Sequence, residues 1–148
     1  SEYEKEYIDL INNLKIESNK IIKNTEKKSI LSFLGLSFKP NTDDIRESTS
    51  IKLASYLYKK GYVINCYDPV SISNVKKEFT RFNYFNSSYE ACNNSDAIVI
   101  GTEWNEFRAL DFLKIGEVVK TKKIFDLRNI YNQEELERLG FKYYGTGK

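Results

Sequence analysis

Asp96-Ala-Ile-Val-Ile-Gly-Thr102 is the clearest strand in the chain, an apolar run closed by a glycine and a hydroxyl residue. Ser29-Ile-Leu-Ser-Phe-Leu-Gly35 has the same build. Short apolar runs of this kind read as strands covered on both faces, the habit of a parallel sheet. Working outward, Tyr62-Val-Ile-Asn-Cys-Tyr67 is a strand stopped by Asp68-Pro69, and Lys123-Ile-Phe-Asp126 is another. Weaker strands are expected near Phe82 to Phe85 and Phe141 to Tyr144. Helices fall between them. Ser48 caps one that Gly61 closes, a short one runs from about Ser71 to Phe79, and Ser87-Ser-Tyr-Glu90 has capping-box spacing. Asp111 to Lys120 and the stretch capped by Asn132 complete the set. Strand alternating with helix predicts an α/β fold, a Rossmann-like doubly wound parallel sheet.

A long N-terminal helix precedes that sheet. Ser1 to about Lys28 contains no Gly or Pro, and Tyr3, Tyr7, Leu10, Leu14 and Ile21 fall at helical steps, with Ile8, Ile11 and Ile22 widening the stripe. The stripe faces either its own domain or a further domain or second subunit. Residues 1–28 and 29–148 are accordingly read as two segments, a helix and the α/β domain.

Composition narrows the chemistry. The 148 residues carry 23 Lys+Arg against 21 Asp+Glu, a net charge of +2, with 41% hydrophobic and 14% aromatic residues. That suits one domain with a real core and gives no electrostatic case for nucleic acid or an anionic membrane. No apolar run approaches the ~20 residues that span a bilayer, and no signal peptide opens the chain. The absence of His excludes a Ser-His-Asp triad, a Cys-His pair and a His metal site. Cys66 and Cys92 lack Cys-x-x-Cys spacing and read as small apolar residues in a reducing, cytoplasmic setting. With no Met, the chain is expected to be a fragment rather than to begin at a natural start.

In doubly wound sheets ligands sit beyond the carboxyl ends of the strands, near the point where strand order reverses. Three polar loops leave such ends: Phe38 to Arg46, Thr102 to Arg108, and Asp126 to Asn129. The first stands where a dinucleotide fold places Gly-x-Gly-x-x-Gly, yet only Gly35 is present, so a pyrophosphate cradle of the usual form is not expected. Lys39 and Arg46 read either as a pair for two anionic groups or as solvated charges paired with Asp43, Asp44 or Glu47. Arg128 reads as a donor to sugar hydroxyls or phosphate, or as an ion-pair partner of Asp126 or Asp68. Trp104 reads as a packing lid and Asp68 as a turn maker. No catalytic constellation and no metal site emerges.

Phe38-Lys-Pro-Asn-Thr-Asp-Asp-Ile-Arg-Glu-Ser48 closely resembles the signature of the C-terminal domain of nucleotide-sugar dehydrogenases, the UDP-glucose/GDP-mannose dehydrogenase family. Tyr67-Asp-Pro69, Asp96 to Trp104 with Glu106-Phe-Arg108, Phe125-Asp126 with Arg128-Asn129, and Gly140-Phe141 with Tyr144-Gly145 follow in order. Residues 1–28 look like the end of the family's central, dimerising helix.

The resemblance implies an enzyme that oxidises the C6 alcohol of a UDP- or GDP-sugar to a carboxylate, using two NAD and a covalent intermediate on a Cys. The nucleophile, its helpers and the NAD loop would all lie N-terminal to this chain, so no catalytic residue is carried over. What carries over is binding. Phe38 and Lys39 resemble substrate contacts, Arg46 an arginine that reaches across to NAD, and Arg128 one that hydrogen-bonds the hexose. The implied partners are a UDP-sugar, the N-terminal NAD-binding domain and a second copy joined through the central helix. UDP-glucose is the leading substrate; UDP-N-acetylmannosamine, GDP-mannose or a stand-alone binding module are the alternatives. Two departures stand out: Ser48-Thr49 where the family commonly has Ser-Pro, and Asp126-Leu-Arg128 where Asp-Gly-Arg is common. The first leaves a capable cap. The second bears on backbone approach to a ligand.

Overall fold

The computed structural model describes residues 1–147. A long helix α1 (Glu2–Lys23) leads into β1 (Ile30–Leu34), α2 (Thr49–Lys59), β2 (Val63–Tyr67), α3 (Ile72–Glu78) and β3 (Asn83–Tyr84). The second half runs α4 (Ser88–Cys92), β4 (Ala97–Ile100), α5 (Asn105–Arg108), α6 (Phe112–Val118), β5 (Lys123–Asp126), α7 (Gln133–Arg138) and β6 (Lys142–Gly145). Six strands form one sheet in the order β3-β2-β1-β4-β5-β6, every pair parallel. This is the expected doubly wound, Rossmann-like sheet, and its order reverses between β1 and β4.

Alternation along the strands sends side chains to two cores. Leu31, Phe33, Ile64, Cys66, Ala97, Val99 and Phe125 join Ile51, Leu53, Ala54 and Leu57 of α2, and Ile21 of α1, on one face. Leu34, Ile98, Ile100, Ile124 and Tyr143 join Ala91 and Cys92 of α4, Ile115 of α6 and Leu136 of α7 on the other. With helices on both faces, β4 is buried at all four positions, and its sequence is accordingly apolar without alternation.

Local signals place the helix ends. The Ser48 hydroxyl accepts from Ile51 N at 3.2 Å, so the cap works without the proline of the family pattern. Gly61, at φ +103°, ends α2: its N–H donates to Tyr58 O and that of Tyr62 to Leu57 O, a Schellman closure. Asp111 and Asn132 cap α6 and α7 through their side-chain oxygens.

Two boundaries differ from the sequence reading. The first helix stops at Lys23 rather than Lys28. There the Asn24 and Thr25 side chains donate back to the carbonyls of Lys20 and Ile21, and Thr25 Oγ1 meets Tyr62 OH at 2.8 Å. These bonds turn the chain toward β1. The loop after β4 also contains one helical turn, α5, which starts at Trp104 without a side-chain cap and therefore carries no capping signal to read.

The C-terminal part of α1 is fastened to the domain. Ile21 is fully buried, Lys20 Nζ donates to Gly145 O at 3.0 Å, and Lys123 Nζ donates to Asn24 O at 2.6 Å. Its N-terminal half leaves Tyr3 and Tyr7 80% and 58% exposed. Among the described residues no helix is long and apolar enough to cross a membrane.

Leu57 sits at zero exposure between α2 and the sheet. Replacing it by Ala is expected to destabilise the domain by about 2–5 kcal/mol, read as a lowered urea midpoint with the slope unchanged.

Candidate functional site

The carboxyl rim of the sheet is built around the reversal point, where β1 and β4 lie side by side. Both strands end in glycine, and neither glycine has room for a side chain. A Cβ on Gly35 (φ +95°) would lie 2.6 Å from Thr102 N, and one on Gly101 would lie 2.1 Å from Ser50 Oγ. Ser50 Oγ also donates to Gly35 O at 2.6 Å. The crevice where a dinucleotide fold would seat pyrophosphate is thus occupied by the protein's own Ser50 and Thr102. This packing accompanies the lack of Gly-x-Gly-x-x-Gly after β1, where only Gly35 is present.

Beyond Gly35 the chain is clamped on every side. Asp68 is buried, and its Oδ2 accepts from Leu36 N (2.7 Å) and Ser37 N (3.2 Å), while Oδ1 accepts from Val70 N (3.0 Å) and Ser71 N (2.9 Å). Asp68 therefore does more than make a turn: it ties the loop after β1 to the end of β2. Ser48 Oγ donates to Leu36 O at 2.8 Å, and Thr102 Oγ1 donates to Ser37 O at 2.9 Å. From this base Phe38, 45% exposed, and Lys39, also exposed, project outward.

The loop closes on itself through Phe38 N donating to Asp44 O at 2.8 Å. Arg46 is held by Asp44 in a two-pronged pair, with Nε 3.0 Å from Oδ1 and Nη2 2.9 Å from Oδ2, and its side chain remains 87% exposed. Of the two readings of Arg46, the structure records the pairing with Asp44. Such a pair pre-orients a guanidinium while leaving its outer edge open. The hydrogen bonds from Arg46 bring the Asp44 carboxyl down to about 2, and the same contact pushes Arg46 up.

Arg128 reaches the rim from β5. Its Nε donates to Gly101 O at 3.1 Å and lies 3.6 Å from Glu103 Oε2. The pairings with Asp126 or Asp68 considered from the sequence are not made by its side chain. Both carboxylates are engaged elsewhere. Asp126, fully buried, accepts from the backbone N–H of Arg128, Ile130 and Tyr131 and from Tyr143 OH at 2.8 Å. Burial, together with that carboxylate, pushes the Tyr143 phenol well up. Leu127, where the family commonly has Gly, packs against the core and has no positive φ; Asn129 takes the left-handed turn instead, at φ +53°. Beside Arg128 lies a cleft of about 250 Å³ shared with Leu10, Asn13, Leu14 and Glu17 of α1 and Leu53 of α2.

The three loops thus meet. Phe38, Lys39 and Arg46 share one loop; Thr102 ties it to the end of β4, and Arg128 is held at the neighbouring Gly101. Sequence reasoning passed over Ser37, Ser50 and Thr102 as site builders, because a single hydroxyl carries no pattern. Trp104 is the expected lid, 9% exposed and packed in the second core. Tyr67 OH donates to the Glu106 carboxylate at 3.1 Å, and burial first, then Glu106, pushes the phenol up to about 12. Cys66 and Cys92 are free thiols pushed up by burial, Cys92 to about 12, so neither is a ready thiolate.

A doubly wound sheet with polar loops and cations at its carboxyl rim is the architecture of a nucleotide-binding type of domain. The chain matches the model of the UDP-glucose/GDP-mannose dehydrogenase family, UDP binding domain, over residues 32–133, and it belongs to that family. It is 44% identical over 119 residues to the UDP-glucose 6-dehydrogenase of Rickettsia bellii (strain RML369-C), covering 79% of this chain and 27% of that protein. Identity to the UDP-glucose 6-dehydrogenase of Rhizobium meliloti (strain 1021) is 43% over 120 residues, 81% of this chain and 28% of that one. The chain thus spans about a quarter of the length of these curated relatives. Among solved structures, a UDP-D-ManNAc dehydrogenase from Pyrococcus horikoshii superposes with a TM-score of 0.67 at 27% identity, over 90% of this chain and 29% of that one. A UDP-glucose dehydrogenase from Pyrobaculum islandicum shares the fold at TM-score 0.72 and 23% identity, over 95% and 30% of the two chains.

The Asp44–Arg46 pair makes a titration prediction. Because the carboxyl is depressed from 3.8 to about 2, the pair's contribution is complete above the ordinary carboxylate range and is lost as pH falls through about 2. Carboxyl-carbon NMR should find the Asp44 midpoint near 2 in the wild type and restored toward 3.8 in Arg46→Ala.

Proposed function

We propose that this chain is the C-terminal, nucleotide-sugar-binding part of a UDP-glucose 6-dehydrogenase, with residues 29–148 as the binding domain and the segment 1–28, whose helix α1 ends at Lys23, as the end of the central helical region. The whole enzyme oxidises UDP-glucose to UDP-glucuronate with two NAD, and this chain alone is inactive. One observation carries the reading. The segment that bears the family signature, residues 38–48, springs from the base that Asp68, Ser48 and Thr102 clamp at the sheet's carboxyl rim.

In this reading Lys39 supplies a mobile positive charge to the anionic sugar nucleotide, and Phe38 lends an apolar surface beside it. Arg128, anchored through Nε, turns its remaining N–H groups toward the hexose. Arg46, oriented by Asp44, reaches NAD held mainly by the N-terminal domain. NAD supplies the hydride acceptor, and the residues of this chain bind and orient. A homodimer through the central helix is supported by the exposed Tyr3, Tyr7 and Ile8 on the free half of α1. A cytoplasmic setting accords with two buried, unpaired cysteines.

The purified chain is expected to produce no NADH from UDP-glucose and NAD at 340 nm, and to bind UDP-glucose weakly or not at all by calorimetry, since a cleft shared by two domains loses much of its contact area when halved. Turnover, or micromolar binding, refutes this. In the full-length enzyme Lys39→Ala should raise KM for UDP-glucose about 10- to 100-fold, whereas Arg46→Ala should act mainly on KM for NAD. Reversed phenotypes would overturn the assignments.

A further inference from the structure

We propose that Thr102, acting through Ser37, is a positioning residue of the substrate site: its hydroxyl sets where Phe38 and Lys39 stand. The inference rests on the reading of Lys39 as a substrate contact. Thr102 is fully buried and lies directly over Gly35, a position open to it only because Gly35 has no Cβ. Its Oγ1 donates to Ser37 O at 2.9 Å, and Ser37 Oγ in turn donates to Lys39 O at 2.9 Å. Two hydrogen bonds, joined through the Ser37 residue itself, therefore link the end of β4 to the backbone of Lys39.

The remaining polar groups around this relay leave it little play. The amides of Leu36 and Ser37 are held by Asp68, and the carbonyl of Leu36 by Ser48. Three separate segments thus hold a two-residue base, and the direction of the exposed loop follows from it. Thr102 reaches that base by a hydrogen bond from the far side of the reversal point, and its neighbour Gly101 accepts from Arg128 Nε. One dipeptide, Gly101-Thr102, so couples the loop that carries Lys39 to the side chain of Arg128.

Valine has the shape of threonine but puts a methyl where the donor stood. A methyl at 2.9 Å from a carbonyl oxygen is too close, since C···O contacts settle at about 3.3–3.6 Å, so Ser37 and the loop beyond it must shift by about half an ångström. Serine restores the donor.

The test uses the full-length dehydrogenase containing this domain, assayed by NADH formation with UDP-glucose. Thr102→Val is expected to raise KM for UDP-glucose about five- to tenfold with kcat within about twofold of wild type, and Thr102→Ser to return KM to near wild type. Ser37→Ala, which cuts the second link of the relay, should give the same KM-selective loss. An unchanged KM in Thr102→Val or in Ser37→Ala, or a Thr102→Ser enzyme as impaired as Thr102→Val, overturns the proposal. Lys39→Ala in the same assay separates the two readings. If it raises KM while the Thr102 and Ser37 variants do not, only the positioning role falls; if it leaves KM unchanged, the substrate-site reading falls and this proposal with it.

Discussion

The close approach of β1 and β4 at their carboxyl ends is the constraint on which the rest of the molecule depends. Gly35 and Gly101 end these two central strands, and the space a Cβ would take is filled by Thr102 and Ser50. With Thr102 and Ser50 packed at the reversal point, the first loop rises from a fixed base and projects over the rim. The filled crevice and the projecting loop are two results of one packing decision. The Rossmann-like sheet is thereby a platform for side chains that reach outward, Phe38 and Lys39 among them.

Buried carboxylates stabilise that platform. Asp68 and Asp126 stand at the carboxyl ends of β2 and β5, on either side of the central pair. Each accepts several backbone amides, so the cost of burying a charge is offset by charge-assisted hydrogen bonds rather than by an ion pair. Because both are consumed in this way, the rim cations keep only exposed or lateral partners: Asp44 for Arg46, Glu103 for Arg128. The first is a two-pronged pair that orients the Arg46 guanidinium, and the second a looser contact at 3.6 Å. A net charge of +2 therefore conceals a local division of labour, with acids turned inward to hold loops and bases left at the surface.

Much of this was legible in the linear sequence, and for identifiable reasons. The runs at Ile30–Leu34 and Ala97–Ile100 are apolar because both faces are covered, so the parallel sheet shows in composition alone. Ser48, Asp111, Asn132 and Gly61 announce helix ends because capping is local chemistry between residues two to five apart. The signature at 38–48 marked the loop that carries Phe38, Lys39 and Arg46. The single turn at Asn105–Arg108 escaped notice because it has no side-chain cap and is too short for periodicity.

The sequence by itself determined the alternation of strands and helices, the loop with its cations, and the exclusion of His-dependent chemistry. Those are properties of neighbouring residues or of composition. Tertiary structure alone decided which carboxylates are inside, that Arg128 turns to Gly101 and Glu103 rather than to Asp126, and that Thr102 and Ser50 close the crevice. Ser37 and Thr102 are 65 positions apart, and Leu36 and Asp68 are 32 apart. A hydrogen bond between such residues exists only because parallel strands bring their ends together, and no local pattern records it.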